Sequence, residues 1–188
     1  MAMTDTALPT PETLRKLMSY DPDTGLLTWK RRPIEMFPNE GAGKMWNTRF
    51  CGKPAFTADS GQGYRRGRIF SKDYLAHRVA YAIHHGAWPV SQIDHINGDR
   101  SDNRIANLRC VTNAENGRNA QKPSNNTSGH MGVLWDGRRC KWRARIGVCG
   151  KDRYLGHFTD IEDAIAARAD AEVKYGYHPN HGRQQPLA

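Results

Sequence analysis

Apolar residues occur in short bursts along this chain, and their period changes from one region to the next. Leu14, Leu17 and Met18 fall at i, i+3, i+4 behind Pro11, which predicts a short helix in "PETLRKLMSY". "DPDTGLLTWK" then predicts a turn at Asp21–Gly25 and a strand from Leu26 to Lys30. Residues 31–63 are rich in Gly, Pro and Asn and read as a long loop with poorly defined strands. "YRRGRIF" and "YLAHRV" flank the turn "SKD", the pattern of a hairpin leading into a helix. That helix, near 75–85, carries Leu75, Val79, Ala82 and Ile83 on one face and stops at Gly86.

Ile93–His95 reads as a short strand, 97–103 as a polar turn and "RIANLRCV" as the return to regular structure. Thr112 with Glu115 fits a capping box, so a helix begins near 112 and places Asn116 in its first turns. "QKPSNNTSG", residues 121–129, has no large apolar residue and reads as a linker. Beyond it the period becomes 2. Trp142, Ala144, Ile146 and Val148 alternate with Lys141, Arg143 and Arg145. The period then returns to 3.6: Thr159 and Glu162 form a second capping box, and Ile161, Ala164, Ile165, Ala169 and Val173 make an apolar stripe.

Composition narrows what these elements can build. Of the 188 residues 38% are hydrophobic, and the mean hydropathy is −0.77, so the cores are small and the modules loop-rich. No apolar run is long enough for a membrane span, and no secretory leader stands at the N-terminus, which gives a cytoplasmic expectation. Cys51, Cys110, Cys140 and Cys149 lack the paired spacing of a zinc knuckle and read as scattered reduced thiols. The net charge of +9 points to a polyanion partner, of which nucleic acid is the commonest.

The arrangement of that charge says more. From Arg138 to Lys151 there are six basic residues and no acidic one. On a strand, Lys141, Arg143 and Arg145 share one face at a spacing of about 6.6 Å, close to the phosphate repeat of a nucleic-acid strand. Three short strands backed by an alanine-rich helix could enter a major groove. Residues 129–177 resemble an AP2 DNA-binding domain, through Gly132–Val133, "KWRARI", "YLGHF" and the Ala-rich helix. The resemblance implies DNA contacts from Trp135, Arg138, Lys141, Arg143, Arg145 and Tyr154. Trp142 stays open between DNA contact and packing on the helix.

Phosphodiester hydrolysis needs a nucleophile, a base and a cation that stabilises the departing oxygen. "QIDHINGDRSDNRIANLRCVTNAEN" offers an adjacent acid and imidazole, Asp94 and His95, whose side chains point to opposite faces of a regular strand. The segment resembles the HNH nucleases of phages and intron homing endonucleases, through "DH" at 94–95, "NGDRSDNRIANLR" at 97–109 and Asn116. That resemblance implies a ββα-metal fold with His95 as general base and Asp94 and Asn116 as metal ligands. It makes Asn107 the residue that bonds backbone across the loop and orients His95. Asn116 stands where many members have histidine, and its neutral oxygen favours Mg²⁺ or Mn²⁺. Asn97, Asn103 and Asn113 read as turn, loop and helix-start residues. On the upstream helix Arg78 is expected at a phosphate, while His84 and His85 stay outside the site.

The expected architecture is α+β, with a tail at 1–10 followed by a β-rich segment and nuclease core at 11–120 (motif 92–118). A linker at 121–128, the AP2-like domain at 129–177 and a second tail at 178–188 complete it. The expected function is a Mg²⁺- or Mn²⁺-dependent endonuclease acting on double-stranded DNA, a monomer that nicks one strand, with no membrane or small-molecule substrate. The rival expectation is a non-catalytic DNA-binding regulator built on a degenerate nuclease core.

Overall fold

Thr10 starts the first helix. Its side chain accepts a hydrogen bond from the Thr13 amide, and Pro11 follows where its missing N–H costs nothing. In the computed structural model, which describes residues 8–182 apart from 121 and 124, helix α1 spans Pro11–Leu17. The expected N-terminal tail is therefore shorter: Pro9 accepts from the Trp88 indole at 2.7 Å, and residues 1–7 lie outside the described residues. Met18, expected in the helical stripe, opens strand β1 (Met18–Tyr20), which pairs with β2 (Leu27–Trp29) as an antiparallel hairpin.

The region expected to be loop contains a helix, α2 (Glu40–Phe50), after a short 3-10 turn at Ile34–Met36. Gly41 and Gly43 hid it, because each glycine disfavours a helix by about 1 kcal/mol relative to alanine. Packing overrides that penalty. Asn39 caps the helix by accepting from the Ala42 amide, and the Trp46 ring sits 5.6 Å from Trp29 and 5.2 Å from Phe50. A Cβ on Gly43 would come within 2.8 Å of Ile34, so the glycine is what lets the helix close on the turn.

Strands β3 (Ala58–Asp59), β4 (Arg65–Ile69) and β5 (Lys72–Leu75) form an antiparallel sheet in the order β3-β4-β5. Helix α3 (Ala76–His85) follows β5 directly and ends at Gly86 in the left-handed conformation, as its pattern predicts. One core gathers Leu14, Leu17, Met18, Trp29, Phe56, Ile69, Val79 and Ile83. Strands β6 (Gln92–His95) and β7 (Leu108–Val111) form a two-stranded sheet, and Ile93 and Leu108 pack on Ala80 of α3.

The chain divides into two compact units, residues 1–110 and 111–188. The second opens with α4 (Asn113–Gly117), whose capping box forms as expected: Thr112 N–H donates to the Glu115 carboxylate and Glu115 N–H to the Thr112 hydroxyl. Within this unit the segment before the expected linker bonds the expected C-terminal tail, where His178 N–H donates to the Arg118 carbonyl and Gly182 N–H to the Ala120 carbonyl.

Strands β8 (Val133–Asp136), β9 (Lys141–Val148) and β10 (Lys151–Phe158) form an antiparallel sheet in the order β10-β9-β8, backed by α5 (Ile161–Lys174). Asp160, rather than Thr159, caps α5 through the Glu162 amide. Val133, Ala144 and Ala164 form the core, with Trp142, Leu155, Phe158 and Ile165 packed around them.

Candidate active site

The alternation predicted for β6 places Ile93 and His95 toward α3 and Asp94 away from it. Ile93 meets Ala80, and the His95 ring centroid lies 5.1 Å from that of His77 on the same helix, nearly perpendicular to it. Tyr64 covers both imidazoles, 5.8 Å from His95 and 5.1 Å from His77. The Arg100 guanidinium lies 4.9 Å over the Tyr64 ring. Both histidines and Asp94 are buried.

The strand ends in a tight turn. Gly98 N–H donates to the His95 carbonyl, and Ile96 N–H donates to the Asn107 carbonyl. Asn107 then ties the 97–107 loop together: its Oδ1 accepts from the Asn97 amide at 2.9 Å and its Nδ2 donates to the Asp102 carbonyl at 2.8 Å. This is the backbone bonding expected of Asn107, but a different amide touches the imidazole. Asn103, expected to be loop filler, places Oδ1 3.3 Å from His95 Nε2.

An amide oxygen only accepts, so this contact is a hydrogen bond in the tautomer that carries its hydrogen on Nε2. Asn103 is itself fixed by the Tyr20 hydroxyl, which donates to its carbonyl at 2.7 Å. Gly25 makes room for the loop: at φ +75°, a Cβ there would come within 2.5 Å of the Arg104 nitrogen.

Burial sets the protonation. It holds the His95 pKa below the ordinary value, while the Asn103 bond and the carboxylates of Asp94, Asp99 and Asp102 act in the opposite sense. His77 is pushed down to about 3, mainly by burial, then by His95 and Arg78. A low pKa keeps an imidazole neutral at pH 7, the form that can accept a proton.

Asp94 has a partner that its sequence pattern did not reveal. Arg109, on β7, donates to Asp94 Oδ2 from Nε at 2.9 Å and from Nη2 at 2.7 Å. Arg78, expected at a phosphate, instead donates to the carbonyls of Ser91 and Pro89, both at 3.1 Å. Its terminal nitrogens clamp the segment that leads into β6. His77, Asn103 and Arg109 were missed because their partners are distant in sequence or lie across a turn. The one signal was the place of His77 on α3, three residues before core-facing Ala80.

Among the described residues, no three His, Cys, Asp or Glu side chains gather into a metal-binding group. Asp94 brings one carboxylate to the first unit, and Asn116 lies on α4 of the second. Few, hard oxygen donors fit Mg²⁺ or Mn²⁺, which keep several waters, and do not fit a structural zinc.

In the second unit the cations stand as the alternation predicts. Lys141, Arg143 and Arg145 share the sheet face turned away from α5, and Trp142 is packed with the helix. Tyr154 and His157 join the cationic face as the register partners of Arg145 and Arg143, because a bulge at Leu155 resets the pleat between them. Their side chains are linked: the Tyr154 hydroxyl is 2.6 Å from His157 Nδ1, and His157 Nε2 is 3.0 Å from Asp136.

Trp135 is the register partner of Trp142 and stands on the same face as that residue, away from the main cation row. Its exposed part lines a hollow with Arg138 and Arg143. The cation row is also less free than the sequence suggests, since Arg145 is paired with Asp152.

Residues 74–118 match the family model described as HNH endonuclease. Over 59 residues the chain is 39% identical to Protein 3.8 of Escherichia phage T7, a stretch covering 31% of this chain and 49% of that protein. The chain thus spans about half the length of the curated relative it matches. No solved structure matches it significantly. Among the described residues no helix is long and apolar enough to cross a membrane. The segment that holds α3, β6, β7 and the buried His95 is similar to an HNH endonuclease domain.

Proposed function

We propose that this protein is a divalent-metal-dependent endonuclease that nicks one strand of double-stranded DNA, as a phage or homing-type nuclease. The observation that carries this reading is His95: buried, held neutral, and anchored at Nε2 by Asn103 within the segment that matches the nuclease family. In this reading the neutral imidazole of His95 takes a proton from the attacking water. Asp94 and Asn116 are the residues that would hold Mg²⁺ or Mn²⁺. When bound, the cation supplies charge stabilisation at the phosphate and at the leaving 3′ oxygen. Asn107 keeps the loop closed, so that Asn103 stays on His95. The products are a 5′-phosphate and a 3′-hydroxyl.

In this reading the second unit is an AP2-like module that grips the duplex. Arg143 supports it: its Nε is buried without a hydrogen-bond partner, and the residue lines the hollow shared with Trp135 and Arg138. Lys141, Arg138 and Tyr154 extend the contact surface, while Arg145 must exchange Asp152 for phosphate to join it. One catalytic motif per chain implies one strand cut per binding event, so a monomer nicks.

A second reading, a DNA-binding regulator on an inactive nuclease scaffold, is favoured by a single observation, the pairing of the Asp94 carboxylate with Arg109. Supercoiled plasmid decides between them. With Mg²⁺ or Mn²⁺ the wild type yields open circles, and His95→Ala abolishes them while gel-shift binding persists. Binding without nicking in either metal establishes the regulator.

A further inference from the structure

Arg109 has no task in the reaction as written, yet it holds Asp94 with two hydrogen bonds. Its Nε and Nη2 both reach one oxygen, Oδ2, in an end-on grip rather than a parallel fork. The Asp94 side chain is only 8% exposed, whereas Arg109 keeps 33% of its surface in solvent. A carboxylate withdrawn this far from water needs a counter-charge, and Arg109 supplies it. The pair is neutral as a whole.

The same carboxylate is the one assigned to the divalent cation in the nuclease reading, on which this inference rests. A cation arriving at Asp94 meets a charge already compensated and a like charge beside it. Phosphate can relieve that conflict. Its oxygens accept a guanidinium in the geometry that a carboxylate offers, and the solvent-facing part of Arg109 is open to an approaching strand.

We propose that Arg109 is a built-in counter-ion, which holds the Asp94 carboxylate in the DNA-free protein and transfers to a DNA phosphate, so that cation and duplex bind the site together. Cation affinity is then low without DNA, and each ligand strengthens the other by the same factor.

Titration of Mn²⁺ into the full chain, with free Mn²⁺ read by electron paramagnetic resonance, tests this in a His95→Ala background that leaves duplex intact. A short duplex is expected to tighten Mn²⁺ binding at least ten-fold. Arg109→Gln is expected to tighten it at least ten-fold without DNA, and duplex then adds a smaller factor. Mn²⁺ binding that is unchanged or weaker in Arg109→Gln overturns the proposal.

Should that variant fail to fold, Arg109→Lys replaces it, since it keeps the charge but loses one donor on Oδ2. An affinity about three-fold tighter is expected there, and an unchanged or lower one overturns the proposal as well. Asp94→Asn separates the two levels of the argument. If Mn²⁺ binds that variant as it binds its parent, the cation is not at Asp94 and the metal assignment of the nuclease reading fails. If Asp94→Asn abolishes binding while Arg109→Gln leaves it unchanged, only the role of Arg109 fails.

Discussion

Replacing His77 with phenylalanine removes a titratable ring from the interior while keeping a planar side chain of similar breadth. In the folded protein burial lowers the His77 pKa from 6.5 to about 3. The unfolded chain therefore binds a proton below pH 6.5 that the folded chain refuses until about pH 3, so folding stability falls as pH falls through that window. Between pH 7.5 and 4.5 the loss from this one residue is about 3 kcal/mol, a large share of a small domain's stability. At pH 7.5 the substitution has two opposing effects. The buried Nδ1, which has no hydrogen-bond partner, is removed with a gain of about 1–3 kcal/mol. The larger ring costs about 1–3 kcal/mol in overpacking. The pH slope is thus the decisive quantity. Urea unfolding followed by tryptophan emission at several pH values should give a His77→Phe curve flatter than wild type by about 3 kcal/mol over that range. Parallel pH profiles for the two proteins would refute the claim that His77 is held neutral by burial.

Two further substitutions separate scaffold from surface. Asn107→Ala leaves the Asn97 amide and the Asp102 carbonyl without their partners, which should destabilise the N-terminal unit by about 2–4 kcal/mol in chemical denaturation and reduce nicking with it. Arg143→Ala should weaken duplex binding without lowering the melting temperature. The slope of log affinity against log salt should fall by about 1 if the guanidinium meets a phosphate, and stay unchanged if it meets a base edge.

Local periodicity and capping chemistry determined much of this chain. The hairpin before α3, the Gly86 stop, the Thr112–Glu115 box and the alternation of β9 all depend on neighbours within a few residues, which is the range that sequence patterns cover. The Asp94–His95 pair was legible for the same reason, since adjacent strand residues take opposite faces wherever the strand lies.

Contacts between distant segments were decided only by the tertiary structure. Helix α2 exists because Trp46 finds Trp29 and because Asn47 bonds the Arg32 backbone, against the propensity of its glycines. The β4–β5 turn uses Phe70 and Ser71 at positive φ, a conformation their side chains disfavour and only the paired strands impose. Which amide reaches His95, and that Arg109 neutralises Asp94, follow from how the loop folds over Gly25 and how β7 aligns with β6. Buried polar groups must find partners wherever the fold brings them. Local sequence shows that such groups exist, and only packing selects the partner.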